Sequence, residues 1–249
     1  MQIPLWVALV IVSPFIGSFL GVVVLRSDDH RPIVFGRSQC DECHHSLDGR
    51  DLIPLISWLM LRRRCRYCGA ELGLFYPAVE FAAIMPVLWA ASVVSGWILV
   101  ASAVFGWVLL TLGLIDWRTQ RLPDVLTLSL LLSGLAAAYL FDRTSIVDHL
   151  IGAVAGYAIF ALVAYLYRAI RGFDGLGLGD AKLLAGLGMW ISWQGLPTLV
   201  LLAAVACLIF VVGRALWRRK IILTERVPFG PFLALAGWIV WLYGPLVPA

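Results

Sequence analysis

The chain has 249 residues, of which 61% are hydrophobic and 14% are charged, with a net charge of +4 and a mean hydropathy of +0.92. A soluble domain is nearer half apolar and a quarter charged, so this composition excludes an ordinary soluble protein. Most of the chain is expected to lie in a lipid bilayer, and no nucleic-acid partner is expected.

Eight apolar segments are long enough to cross a bilayer, allowing for short or tilted helices. They are Ile3–Leu25, Pro77–Ser95, Trp97–Ile115, Val125–Phe141, His149–Tyr167, Ala181–Trp193, Thr198–Gly213 and Phe229–Val247. The first lacks a basic start and a small-residue cleavage site, so it is interpreted as a helix and not a signal peptide. The sixth is short and glycine-rich, which predicts a tilted helix, a locally thinned bilayer or an irregular segment covered by protein. The predicted fold is an all-α polytopic membrane protein.

Basic residues orient these segments. If the loops after the first, third, fifth and seventh spans are cytoplasmic, Arg143 is the one basic residue of 19 that lies outside. This arrangement predicts that Asp116 and Asp180 lie at the same, cytoplasmic, face of the membrane. It also predicts three parts: a first transmembrane helix (1–25), a polar cytoplasmic insert (26–76) and a transmembrane domain (77–249).

The insert carries four cysteines in two Cys-x-x-Cys pairs, with 21 residues between the pairs. They are Cys40, Cys43, Cys65 and Cys68. Each pair presents two thiolates from one tight turn, and two turns complete a tetrahedral zinc site. So small a domain has too little core to fold unaided, so the metal would contribute folding free energy. Two disulfides are the alternative, although a cytoplasmic loop is kept reduced.

Four cysteine ligands indicate a structural site and not a catalytic one. His44 and His45 follow Cys43 and are alternative ligands, but four cysteines already fill the shell, which favours ordinary exposed histidines. Cys207 lies inside the seventh span and is interpreted as a packing residue.

Two aspartates carry the predicted chemistry. Asp116 ends the third span and Asp180 precedes the sixth. Carboxylates beside membrane-spanning helices are costly to bury and suggest function. Two that meet can share one proton and activate water, as in aspartic proteases. The structural alternatives are an ion pair of Asp116 with a neighbouring arginine, Arg118 or Arg121, and an N-cap role for Asp180.

The helix dipoles suggest roles for the two carboxylates. Asp116 lies at the C-terminal end of its helix, where negative charge is disfavoured, and Asp180 lies before a helix N-terminus, where it is favoured. We therefore expect Asp180 to act as the base and Asp116 as the acid.

Residues near the aspartates are candidates for substrate binding. Gly177 and Gly179 permit close approach of an extended substrate backbone. Asp124 and Asp174 add negative charge near this face, although Asp124 is equally well explained as the start of the fourth span. Lys182 would pair with a carboxylate or face lipid headgroups.

The order of motifs along nearly the whole chain resembles the type IV prepilin peptidases. The matching elements are Gly17-Ser-Phe-Leu, Arg37-Ser-x-Cys40-x-x-Cys43, Ile53-Pro-Leu-Ile-Ser-Trp58, Cys65-Arg-Tyr-Cys68, Tyr76-Pro-x-Val-Glu80, Asp116 with Leu122-Pro123-Asp124, Gly177-Leu-Gly-Asp180-x-Lys182-Leu and Pro228-Phe-Gly-Pro-Phe232. The Gly-x-Gly-Asp element is shared with presenilin-like proteases, but its combination with the tetracysteine loop is highly specific.

The resemblance implies a bacterial inner-membrane aspartic protease with its active site at the cytoplasmic face. Such enzymes cut the short basic leader from prepilins of type IV pilus systems or pseudopilins of type II secretion systems. The catalytic pair maps onto Asp116 and Asp180, and the zinc ligands map onto the four cysteines of the insert.

The resemblance also implies methylation of the new N-terminus with S-adenosylmethionine. Members of the family often have Gly-Ser-Phe-Leu-Asn followed by Arg-x-Pro, whereas this chain has Gly21 in place of the asparagine and no proline after Arg26. A peptidase without methyltransferase activity is therefore the first alternative. A zinc-stabilised assembly scaffold and a transporter are the others, but neither explains acids clustered at one face beside Gly-x-Gly-Asp.

Overall fold

The computed structural model describes residues 4–29, 38–40, 42–142, 145–172, 177–218 and 227–246. Nine α-helices cover most of these residues, and strand pairing there is limited to two isolated bridges. The helices are α1 (Leu5–Asp29), α2 (Ile56–Met60), α3 (Phe75–Ala82), α4 (Ile84–Ala91), α5 (Gly96–Thr119), α6 (Asp124–Phe141), α7 (Ile146–Arg171), α8 (Leu178–Arg218) and α9 (Gly230–Tyr243). The predicted all-α membrane fold is confirmed.

Within the described residues, five helices are long and apolar enough to cross a membrane. They are Leu5–Ser27, Gly96–Thr119, Asp124–Phe141, Ile146–Ile170 and Leu178–Arg218. Two shorter apolar helical stretches, Phe75–Ala91 and Gly230–Tyr243, account for the second and eighth predicted segments. The exact number of spans, eight, stays a prediction.

The sixth and seventh predicted segments form one helical run, α8, that is interrupted at Ser192. This residue has φ 62° and ψ 176°, a backbone conformation that residues other than glycine rarely adopt. Trp190 Nε1 donates to the carbonyl of Leu130, and His149 Nδ1 lies 2.8 Å from the carbonyl of Met189. These contacts give partners to one backbone carbonyl of α6 and one of α8, both close to the break.

The first half of α8 lies at the centre of the second of two compact units, Val108–Ala249. Glycines permit the close approach of its neighbours: a Cβ on Gly152 of α7 would lie 2.5 Å from the carbonyl oxygen of Gly188, and one on Gly237 of α9 would meet Leu187 at the same distance. Residues 183–190 are all buried. A helix of this half's length is too short to span a bilayer alone, and its enclosure by protein matches the expectation of a covered segment.

The first unit, Met1–Trp107, contains α1, the cysteine insert and the helical stretch α3–α4. α3 packs along α1 at two glycines: a Cβ on Gly17 would lie 2.6 Å from Glu80 Cα, and one on Gly21 would lie 3.0 Å from the Tyr76 ring. The predicted boundaries at residues 25 and 76 divide the chain differently from these units, and they stay a prediction.

Candidate functional site

Asp116 lies in the last turn of α5 and is 5% exposed. The helix ends just beyond it because Gln120 adopts a left-handed conformation and its N–H donates to the Asp116 carbonyl. Thr119 Oγ1 donates to the carbonyl of Ile115 and accepts from the N–H of Arg121. The carboxylate is therefore held at a rigid helix end and not on a loose loop.

The Asp116 carboxylate contacts the first turn of α9. Gly230 N–H donates to Asp116 Oδ2 at 2.9 Å. A Cβ on Gly230 would lie 2.6 Å from the same oxygen, so only glycine fits this position without displacing the carboxylate. The contact that holds the Asp116 carboxylate is thus with α9 and differs from the ion pair with Arg118 or Arg121 that the sequence left open.

Asp180 is half-buried in the first turn of α8. The Gly177 N–H donates to its carboxylate, and its own N–H donates to the Gly177 carbonyl at 3.1 Å. Asp180 therefore occupies the third helical position and reaches back to the N-cap, instead of being the N-cap itself. A Cβ on Gly179 would lie 3.3 Å from Leu122 Cβ, so the α5–α6 turn packs against this glycine.

The fold brings the two aspartates together. Asp116 lies close enough to Asp180 for their charges to interact directly. Each carboxylate also accepts a backbone N–H at the start of a helix, α9 for Asp116 and α8 for Asp180. Two carboxylates held this way, one buried and one half-buried, form an arrangement suited to sharing one proton.

Asp124 and Lys182 pair with each other beside the two aspartates. Lys182 Nζ donates to Asp124 Oδ1 at 2.5 Å, and both side chains are exposed. Asp124 is the first residue of α6, after Pro123 at the N-cap. The predicted carboxylate partner of Lys182 is thus present, and the negative charge of Asp124 that was expected to attract a substrate is already matched by this lysine. Asp174 lies outside the described residues.

The four insert cysteines converge. Their Sγ atoms all lie within 4.8 Å of one another, and Cys40 Sγ and Cys68 Sγ are 3.9 Å apart. All four are free thiols. Zinc–sulfur bonds of about 2.3 Å in a tetrahedron place sulfurs roughly 3.8 Å apart, so these residues fit a four-coordinate metal.

The two Cys-x-x-Cys turns have the same backbone structure. Cys40 N–H donates to the His45 carbonyl and Leu47 N–H to Ser38; 25 residues later, Cys65 N–H donates to Ala70 and Leu72 N–H to Arg63. The residue after each second cysteine is left-handed, His44 in one turn and Gly69 in the other. Apart from the two cysteines and a final leucine, the residues of the two turns differ, so the likeness lies mainly in their hydrogen bonds.

Local contacts tune one thiol and join the turns. Backbone N–H groups of Cys68 and Tyr67 point at Cys65 and lower the pKa of its thiol to about 7, which favours the thiolate that a metal requires. Tyr67 stacks on His45 with ring centroids 3.7 Å apart. Arg66 Nε donates to Asp51 at 2.7 Å. His45 therefore packs against an aromatic ring, in agreement with its exclusion from the ligand set.

Comparison with known proteins identifies the family. Residues 103–212 match the type IV leader peptidase family, and residues 11–94 match the bacterial peptidase A24 N-terminal domain. A prepilin leader peptidase/N-methyltransferase of Aeromonas salmonicida is 38% identical over 93% of this chain and 88% of its own length. This chain belongs to the type IV leader peptidase family.

Further members of the type IV leader peptidase family are nearly as similar. Proteins of the same name from Burkholderia pseudomallei and Dickeya chrysanthemi are 36% and 35% identical, and the alignments cover 94% and 92% of this chain and 84% and 89% of theirs. No solved structure matches the chain.

Two residues make contacts at the site or in the insert that the sequence did not predict. Gly230 was quoted only as part of a motif, and its role as a donor to Asp116 depends on 114 residues of intervening chain. Glu80, also quoted only as part of a motif, is buried and accepts the Leu55 N–H at 2.7 Å. The sequence offered two signals for these contacts: a glycine flanked by prolines at positions 228 and 231, and an acidic residue within an apolar helix.

Proposed function

We propose that this chain is a membrane aspartic endopeptidase that removes the basic leader from prepilins or pseudopilins at the cytoplasmic face of the bacterial inner membrane. The proposal is supported by the proximity of Asp116 to Asp180, close enough for their charges to interact, in a member of the type IV leader peptidase family. The relatives are named as leader peptidases and N-methyltransferases. This assignment makes the two carboxylates the catalytic dyad.

The dyad acts as one unit that holds a single proton. The ionised carboxylate takes a proton from a water molecule, and the protonated one donates a hydrogen bond to the scissile carbonyl. Attack of the water oxygen on the carbonyl carbon gives a tetrahedral intermediate, which collapses when the leaving amine receives a proton from the dyad. Burial strengthens each of these interactions because little water competes for them.

The assignment of Asp180 as base and Asp116 as acid has lost its physical basis. It depended on the C-terminal end of α5, but the Asp116 carboxylate also accepts an N–H from the first turn of α9. Both aspartates therefore meet a favourable helix N-terminus. We assign the proton to the pair and not to either member.

The substrate is proposed to bind beside the dyad in extended form. Gly177 is exposed before α8, whereas Gly179 packs on one side against the α5–α6 turn. Asp124 and Asp174 would supply negative charge for a basic leader. Because Lys182 already pairs with Asp124, the leader would compete with that lysine for the carboxylate.

The insert is proposed to bind one structural zinc ion through Cys40, Cys43, Cys65 and Cys68. Four thiolates leave no open position for water or substrate, so the metal supplies folding free energy and takes no part in cleavage. The metal would hold the two Cys-x-x-Cys turns in place and would not touch the catalytic aspartates.

Methylation of the new N-terminus is proposed as the second activity, with S-adenosylmethionine as methyl donor. The relatives' names contain both activities. Gly21, where the family often has asparagine, packs against Tyr76 at a distance that leaves little room for a larger side chain. That departure therefore has a local packing reason, and no residue of this chain is assigned to the methyl donor.

Purified protein in detergent tests the peptidase activity directly with a pseudopilin substrate. Cleavage should be lost in Asp116→Asn and retained in Asp142→Asn, which neutralises an exposed aspartate at the C-terminal end of α6, away from the proposed site. Mass spectrometry of the same reactions, with S-adenosylmethionine added, reports methylation of the new N-terminus. Retention of cleavage in folded Asp116→Asn would exclude the dyad.

A further inference from the structure

The insert segment 53–64 exposes a cluster of apolar side chains. Ile56, Leu59 and Met60 of α2 are 55%, 71% and 79% exposed, and Ile53 before them is 40% exposed. Side chains of this size are rarely left together in water on a small domain. Three arginines, Arg62, Arg63 and Arg64, follow after one further residue.

Contacts within the first unit indicate the depth of this segment along α1, on the membrane side of Arg26. Gly17 lies nine residues before Arg26, the first charged residue of the chain, which is about 14 Å along the helix. Glu80 Cα packs on Gly17, and the Glu80 carboxylate accepts the Leu55 N–H at 2.7 Å. Helical side chains tilt toward the N-terminus of their helix, which for α3 is the end nearer Tyr76 and Gly21. Leu55 therefore lies roughly 10 Å closer to the bilayer centre than Arg26.

The backbone of the segment is suited to that depth. Backbone at membrane depth must have its polar groups satisfied within the protein. Eight N–H groups in this segment each donate to a protein oxygen; they belong to Leu55, Ile56, Ser57, Leu59, Leu61, Arg62, Arg63 and Arg64. Leu55 itself has φ 60°, a strained conformation for leucine that the bond to the buried Glu80 holds in place.

The arginines complete the pattern of an interfacial element. Long basic side chains at the edge of a buried apolar segment extend their charge to the lipid phosphates. Arg63 also lies over the Trp58 ring, 5.7 Å from its centroid, and tryptophan is enriched at this level of membranes. The same positive charges would repel the basic leader of a substrate, which argues against this surface as the leader's binding site.

We propose that residues 53–64 form a membrane-inserted anchor of the cysteine insert, with Ile56, Leu59 and Met60 in the acyl region of the cytoplasmic leaflet and Arg62–Arg64 on phospholipid phosphates. The anchor fixes the height of the insert relative to the membrane. The proposal does not depend on peptidase activity.

The test measures the depth of single nitroxide labels in full-length protein reconstituted into nanodiscs of phosphatidylethanolamine and phosphatidylglycerol. Because the chain has five cysteines, the label is attached through a keto-bearing unnatural residue at position 59 or 60. Position 15, on an exposed face of α1, serves as the lipid reference, and position 50, in the polar part of the insert, serves as the water reference.

The ratio of collisions with oxygen to collisions with a water-soluble nickel chelate should be several-fold higher at positions 59 and 60 than at position 50, and close to that at position 15. Zinc content of each labelled sample confirms that the insert is folded. Water-like ratios at both positions would overturn the proposal. Ratios that become apolar only after a prepilin peptide is added would overturn it as well, because the surface would then belong to the substrate.

Discussion

Replacing Gly230 by alanine tests whether the first turn of α9 positions the catalytic pair. The new Cβ would lie 2.6 Å from Asp116 Oδ2 and 2.9 Å from its Cγ, distances too short for atoms that are not bonded. The carboxylate must therefore move away, and the 2.9 Å bond from the Gly230 N–H is lost or weakened. A hydrogen bond to a charged group contributes about 1.5–3 kcal/mol, which corresponds to a roughly 10- to 100-fold lower turnover number.

The assay is leader cleavage by purified Gly230→Ala in detergent, with kcat and KM determined separately. The substrate does not have to contact Gly230, so the loss should fall on kcat. Gly113→Ala is the matched control at the same α5–α9 interface, because its Cβ would meet Pro231 Cα at an ordinary 3.6 Å. Wild-type kcat in a folded Gly230→Ala enzyme, or an equal loss in Gly113→Ala, would refute the reasoning.

Three further predictions concern the metal, the dyad and the topology. Metal analysis should give about one zinc per chain; Cys40→Ser should reduce zinc content and yield more than Cys207→Ser, and equal effects would contradict a ligand role. Asp116→Asn and Asp180→Asn should each abolish cleavage without changing zinc content, and the double variant should lose little more, because dyad members act together; additive losses would argue for separate roles. A cysteine introduced at Arg171 should resist an impermeant reagent applied outside intact cells, and its labelling would contradict a cytoplasmic loop.

Local patterns in the sequence predicted the parts of the fold that depend on local chemistry. Apolar runs marked the helical segments, and the doubled Cys-x-x-Cys marked a four-sulfur site, because helix length in a bilayer and thiol spacing in a tight turn are local properties. Their position at the borders of apolar segments also made Asp116 and Asp180 candidates for function, and their catalytic role stays a prediction.

Long-range contacts were beyond that reasoning. For Asp116, the sequence argument considered only its own helix, α5. No pattern shows that the first turn of α9, more than a hundred residues later, contacts its carboxylate. The break at Ser192 was equally hidden, because serine has no special preference for that conformation. The backbone at this residue lies against Gly152 of α7, a contact that the sequence does not reveal. The pairing of Glu80 with Leu55 joins a helix to a loop 25 residues earlier, a contact that periodicity does not encode.

A metal bound to the four cysteines would close a ring in the chain. A metal bound to both turns would join Cys43 to Cys65 across the 21 residues between them, and the apolar segment 53–64 lies inside that ring. Closing such a ring removes conformational entropy mainly from the unfolded insert, so the enclosed residues become ordered when the metal binds. Metal supply to the cell would thereby govern whether this loop reaches the bilayer as a shaped element or as an unstructured chain.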